Sequence, residues 1–452
     1  MNKPHIAIIG GGCAGLSAAA TLVDYGFPVT IFESSSQLGG RARSVQIKNN
    51  GIHLLDNGQH ILLGAYSATL ALLHKIGLDE KHVFLRLPLK ISMRGCNENI
   101  VFSLKSVSYL PAPFDMLFAL LRCKGLSLVE RIAAIKLMAK VKNSHYQIDD
   151  DCPLEYFLIK HQQTKHLITM LWEPLCLAAL NTPIEMASTR IFLNALRDSF
   201  SKKGCSKGKR NSDFLLPKLD LSKIIAQPLT KYITARGAEI KLNRQVLSLI
   251  PNADGFNLET RDGQSFFSHV IIATPATSLD KLISSCQKLN TVLTQIQNYS
   301  YQPIYTVYLQ YPVTTQLPDL MTGLSNTLGQ WVFDKGQLCQ QNGLIAVVIS
   351  GSGRHQLLTH EQLALQVAEE LQQVFPDMPK SLWYKVIAEK RATFSCTPNL
   401  ARPNNKTLQQ NLYLAGDYTY AYYPATIEGA IRSGINCANL IADSYTLVSE
   451  LS

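Results

Sequence analysis

At 452 residues, 46% apolar and 17% charged, the chain has the composition of a packed globular protein, long enough for two or three domains and free of low-complexity tracts. Its apolar runs fall well short of the roughly 18 residues that span a bilayer, so no transmembrane helix is expected. Net charge is +10, and between Lys81 and His145 eleven Lys or Arg stand against three acids, a concentration that suits nucleic acid, an anionic substrate or a membrane surface.

The first predicted element is a buried strand at His5–Ile9, so close to the start that no signal peptide is expected. Ten cysteines run from Cys13 to Cys437, none in a CxxC pair or zinc-like spacing. That usage points to reduced thiols in the cytoplasm and to no metal site. After the strand come Gly10, Gly12 and Gly15 in G-x-G-x-x-G spacing, then a helix of small residues from Ala14 to Tyr25, stopped at Gly26. The second strand, VTIFE, ends in Glu33. Gly10 permits a tight turn, Gly12 lets backbone amides approach a pyrophosphate, and Gly15 lets the helix pack on the sheet. The helix N-terminus favours phosphate, and Glu33 accepts from a ribose hydroxyl. A glycine motif alone also fits any Gly-rich turn, but here strand, glycines, helix, strand and acid all stand in register.

SSSQLGGRARS follows directly. Gly39 and Gly40 bring the chain back across the pyrophosphate, and Arg41 neutralises it. The next stretch, LDNGQHILLGAY, interrupts an apolar run with Asn57, Gly58, Gln59 and His60. One reading is a helix start, with Asn57 capping a helix that runs through Leu62 to Ile76.

The basic insertion contains GLSLVERIAAIKLMAKVKN. Ser127 and Glu130 form a capping box, and Leu128, Ile132, Ile135 and Ala139 line one helical face. With the apolar segment LPAPFDMLFALLRCK before it, this region near 110–142 reads either as a cap over a substrate cavity or as a patch dipping into one leaflet. SKKGCSKGKR, Ser201–Arg210, reads as a mobile basic loop. It lacks interleaved aromatics, so no nucleic-acid partner is expected.

Further on, a helix is predicted at Ser222–Arg236 with Gly237 as its stop, then a strand at Glu239–Leu242. A hairpin turns at Asp262-Gly263 and leads to a buried strand, His269–Thr274. Strands at Tyr305–Gln310, Leu344–Ser350 and Trp383–Glu389 suggest a second sheet. VVISGSGRHQ imitates a second dinucleotide motif, but Gln356 replaces its third glycine, and it reads as a turn. Near the C-terminus a strand ends at Gly416-Asp417, and a helix begins at Thr426–Ile427. Gly-Asp at a strand end suits a ribityl chain, and the helix start would face the negative charge of a reduced flavin.

The trio of GxGxxG…E, LGGR and AGD…EGA…SG resembles the flavin amine oxidase and phytoene desaturase superfamily over essentially the whole chain. Within it, LDNGQHILLGAY, PATIEGAIRSG and DFLLPKLDLS resemble the hydroxysqualene dehydroxylases, enzymes of squalene and hopanoid biosynthesis. The resemblance implies an α/β fold, with a Rossmann-like FAD-binding domain built from residues 1–80, 214–285 and 395–452. An inserted α+β substrate domain would come from 81–213 and 286–394. It places Val246 at the adenine, Gly58 close under the flavin ring, and Gln59 and His60 at its reactive face, with His60 the candidate proton donor. It further implies FAD as cofactor, hydroxysqualene as an isoprenoid substrate reduced to squalene, an unidentified electron donor, and peripheral contact with the inner face of the cytoplasmic membrane. Tyr418, Tyr420, Tyr422 and Tyr423 would offer π faces to an allylic cation. A carotenoid-type desaturase, an amine oxidase and a non-catalytic prenyl-lipid carrier are the rival readings. Amine oxidases usually carry a cage aromatic at or near the position of Thr426.

Overall fold

The computed structural model describes residues 3–48, 52–107, 110, 114–201, 208–284 and 286–451. The first unit is β1 (Ile6–Ile9), α1 (Cys13–Asp24) and β2 (Val29–Phe32). Every residue of both strands is buried, as the unbroken apolar runs of a sheet covered on both faces require. Gly26 lies just beyond the end of α1 at φ +73°, a left-handed conformation natural to glycine. These strands belong to a five-stranded parallel sheet, in the order Glu239–Lys241, β2, β1, His269–Ile272, Leu412–Leu414. The long helix Ile427–Leu451 packs on α1 at glycine-close range: a Cβ at Gly434 would stand 2.1 Å from the Ala14 carbonyl.

A second, seven-stranded sheet runs Trp383–Phe394, Tyr301–Gln310, Leu344–Ser350, Trp331–Asp334, Met321–Leu324, Lys90–Arg94, Ile100–Lys105. It is antiparallel except where Met321–Leu324 meets Lys90–Arg94. The three strands expected from sequence are all here, two of them longer than expected. The hairpin Phe256–Thr260/Gly263–Phe267 also forms. VVISGSGRHQ is a strand followed by a short 3₁₀ turn at Arg354–Leu357.

Two expectations fail locally. Asn57 caps no helix and none runs through Leu62: residues 57–61 are irregular, Leu62–Leu63 pairs with Phe214–Leu215, and the helix starts only at Ser67. The turn satisfies its own backbone, with Gly58 N–H donating to the Asp56 carbonyl at 2.7 Å and His60 Nδ1 paired with the Gly58 carbonyl at 2.8 Å. The helix Leu128–Asn143 has its capping box, but its buried face is Glu130, Ala134, Leu137 and Val141. Leu128 and Ile132 point outward instead. Most of the Ser201–Arg210 stretch, and residues 111–113 before the helix Phe114–Leu121, lie outside the described residues.

Candidate functional site

The carboxyl ends of β1 and β2 open onto one cavity of about 1130 Å³ that continues under the seven-stranded sheet. Its polar end is built by the glycine turn. Gly10 adopts φ +110°, and a Cβ there would fall 2.7 Å from the Ala273 carbonyl. Gly39 N–H donates to the Gly11 carbonyl at 2.8 Å, which brings the LGGR loop alongside the first glycines. Glu33, on the wall, accepts from the Gly11 and Ser35 amides at 2.7 and 2.8 Å. Gly15 is off the wall and serves packing, since a Cβ there would meet the Gly10 carbonyl at 2.0 Å.

Gly10, Gly12, Glu33, Gly40, Arg41, Gly58, Gln59, His60, Val246, Gly416, Asp417, Thr426 and Ile427 all line this one cavity. Arg41 and Asp417, 376 residues apart, meet at 2.8 Å, and the carboxylate beside it raises the guanidinium further above its already high value. Thr426 Oγ1 accepts from Gly429 N–H at 3.0 Å in the first turn of the terminal helix. Of the four tyrosines, Tyr423 lines the cavity. Tyr418 is buried behind Gly416 and Tyr422 is 67% exposed, so the expected cluster of π faces reduces to Tyr423.

Asp56 and Ser44, which lead into and flank the Asn57–His60 turn, are held by the DFLLPKLDLS segment. Leu221 N–H donates to Asp56 Oδ1 at 2.8 Å, and Asp220 Oδ1 accepts from Ser44 Oγ at 2.7 Å. Burial pushes the Asp56 carboxyl up, against the pull of the nearby Lys335 ammonium. Burial likewise holds the His60 imidazole below its usual value, against the opposing charge of Asp56. Because a carbonyl only accepts, the contact with Gly58 places a proton on His60 Nδ1 and leaves Nε2 as the site of gain and loss. Lys335, Thr274 and Asp56 were not singled out from sequence. Lys335 reaches Gln59 across 276 residues, and no local pattern announces such a contact.

Beyond this turn the cavity is walled mainly by apolar side chains, among them Leu177, Phe192, Leu196, Met321, Trp331 and Phe333. At the polar end the wall keeps hydrogen-bonding capacity in reserve. Arg43 Nε and Thr274 Oγ1 are buried without a partner among the described residues, and a Cβ at Gly12 would meet nothing closer than 4.0 Å. Free donors beside an open glycine backbone fit the phosphates and sugars of a dinucleotide cofactor.

Over residues 13–442 the chain matches the family described as "Flavin containing amine oxidoreductase". It is 28% identical to a hydroxysqualene dehydroxylase of Zymomonas mobilis, covering 97% of this chain and 99% of that one. It is 25% identical to a 15-cis-phytoene desaturase of Arabidopsis thaliana, covering 99% and 81%. Its fold is similar to that of cyclohexylamine oxidase from Brevibacterium oxydans, with a TM-score of 0.71 at 15% identity over 98% and 100% of the two chains.

Proposed function

The chain belongs to the flavin containing amine oxidoreductase family, and on that premise we propose that this FAD-dependent oxidoreductase reduces hydroxysqualene to squalene. The observation that carries the reading is the shape of the cavity: a dinucleotide cradle joined to a chamber with mainly apolar walls, with the Asn57–His60 turn at the junction. A dry apolar chamber suits an isoprenoid chain and excludes the water that would quench an allylic cation. The relative from Zymomonas mobilis supports the same substrate.

In this reading the pieces 1–80, 214–285 and 395–452 would hold the cofactor, Glu33 taking a ribose, Arg41 and the glycines the pyrophosphate, Asp417 the ribityl chain and Val246 the adenine. Thr426 and Ile427 present the helix start to the cavity, and Gly58 and Gln59 would border the ring. Bound FAD, in its reduced form, supplies the hydride. The chain supplies the rest. His60 donates a proton from Nε2 to the substrate hydroxyl, which leaves as water; the carbon that loses it accepts hydride, so alcohol, proton and hydride give hydrocarbon and water. Tyr423 offers a π face to the cation, and the apolar wall keeps it from bulk solvent.

The membrane-facing part of the proposal rests on the helices Phe114–Leu121 and Leu128–Asn143. Phe114, Leu128 and Val129 are 58, 63 and 74% exposed, and Leu117, Leu121 and Ile132 are exposed beside them. Arg131 ties the two helices together by donating to the Leu121 carbonyl at 2.8 Å. No described helix is long and apolar enough to cross a membrane, and an apolar patch ringed by cations suits a monotopic contact with anionic lipid.

A desaturase reading is favoured by the relative from Arabidopsis thaliana, and it differs in direction, because a desaturase removes hydride and needs oxidised flavin. Two incubations separate them: reduced enzyme with hydroxysqualene under anaerobic conditions, and oxidised enzyme with phytoene plus an electron acceptor. Squalene from the first and no desaturated product from the second supports dehydroxylation. The opposite pair of results overturns it. Amine oxidation is disfavoured because Thr426 gives its hydroxyl to the helix cap and supplies no cage aromatic.

A further inference from the structure

Lys335 follows the strand Trp331–Asp334 and opens the short helix Lys335–Cys339, yet it is only 2% exposed. Burying an ammonium costs several kcal/mol unless it is compensated. Its Nζ donates to Gln59 Oε1 at 2.9 Å and lies 3.7 Å from Asp56 Oδ2. Asp56 is held independently by Leu221 N–H and by Ser44 Oγ at 3.3 Å, and its carbonyl accepts from Tyr308 Oη at 3.0 Å. The backbone that carries Lys335 is equally fixed: Asp334 accepts from Gln337 N–H at 3.0 Å and from Leu317 N–H at 2.8 Å.

An ammonium can only donate, so it decides which end of the Gln59 amide is oxygen. The NH₂ end must then face the other way, and it donates to the His60 carbonyl at 3.2 Å. Gln59 and His60 line the cavity, while Lys335 stands behind them. We propose that Lys335 is a positioning residue for the flavin pocket, acting through Gln59 to orient the hydrogen-bond donors of the Asn57–His60 turn and placing a positive charge behind them. This rests on reading that turn as a wall of the flavin site. A cation in this place favours the more negative, reduced form of the cofactor, which is the form a hydride-donating enzyme must hold. A purely structural tie between the helix and the turn would be met as well by an apolar contact of similar volume, and that would carry no such bias.

The test uses the FAD-loaded protein without any lipid, so it succeeds or fails independently of the substrate. The ratio of reduced to oxidised bound FAD is read by equilibration with a reference redox dye. Lys335→Met is expected to lower that ratio about tenfold, and Lys335→Arg to change it less than about twofold. In a Gln59→Leu background the further effect of Lys335→Met should shrink, because the path through the amide is already gone and only the through-space part of the charge remains. Lys335→Gln, which keeps a donor without the charge, is expected to lower the ratio in the same direction and serves if Lys335→Met does not load FAD. An unchanged ratio in the loaded variant, or strictly additive effects with Gln59→Leu, overturns the proposal.

Discussion

Gly12 lines the cavity and has no atom beyond its chain neighbours closer than 4.0 Å to where a Cβ would stand, so a side chain there should enter the proposed cofactor space and leave the fold intact. Gly12→Val is therefore expected to give a folded, colourless protein, checked by circular dichroism and flavin absorbance; a yellow, fully loaded variant would contradict the placement. His60 yields a pH prediction. Its imidazole is held below its usual value and must be protonated at Nε2 to act as an acid. Turnover should therefore rise as pH falls below about 6.5, the ordinary histidine value, towards the lowered one. His60→Ala should cost about 10²–10⁴-fold and flatten that rise while FAD stays bound. An unchanged rate dismisses His60 as the acid. At this scale the places of Gly10, Gly12, Glu33 and Gly416-Asp417 on one cavity wall were legible because a glycine turn and an acid at strand ends keep a fixed spacing in sequence. Lys335 was not, because nothing near it in sequence distinguishes it from a surface lysine.

The element that closes the site is the start of the terminal helix. Glu428 is fully buried there and accepts from the Ala68 and Thr69 amides at 2.9 and 2.8 Å, from Thr69 Oγ1 at 2.6 Å and from Arg432 Nε at 2.7 Å. It caps the helix Ser67–Lys75 across 360 residues of chain. Glu428→Ala is expected to destabilise by about 3 kcal/mol in denaturant titration, since it strands those donors. A second carboxylate, Glu130, binds the helix Leu128–Asn143 to Thr164 and His166. Burial alone would raise it, but hydrogen bonds from Thr164 and Ser127 bring it to about 2. Its folded value lies below the unfolded one, so its stabilisation is complete above about 4.5 and lost as pH falls through about 2. Glu130→Gln should thus be less stable than the native chain at pH 7 and nearly equal to it near pH 2; a pH-independent gap would contradict this. The capping box was readable because Ser-x-x-Glu is local. The buried face of that helix was not, because both sides carry apolar residues at helical spacing and only packing decides which side is core.

For the whole molecule, the parallel sheet and its fingerprint were readable from chain order, while the assembly of one cavity from β1, β2, the seven-stranded sheet and the terminal helix depends on contacts hundreds of residues apart. The structure also redistributes the basic excess. Arg86 is matched by Glu80 and Asp213, and Lys90 and Arg94 by Asp319. Arg122, Lys124, Lys136, Lys140 and Lys142 lack a carboxylate partner among the described residues and lie in or beside the two exposed helices. Binding to anionic vesicles should accordingly weaken with salt, as attraction is screened over about 10 Å at 0.1 M, and Leu128→Ser with Val129→Ser should weaken it at every salt. Equal binding to neutral and anionic vesicles would remove the electrostatic part. In the proposed reaction hydride passes from the protein's flavin to an allylic alcohol. That transfer is tested most directly by a single anaerobic turnover of fully reduced enzyme with hydroxysqualene, following the flavin absorbance and the lipid together. One squalene formed for each flavin reoxidised is the predicted result, and a flavin that stays reduced while the alcohol is recovered intact would contradict it.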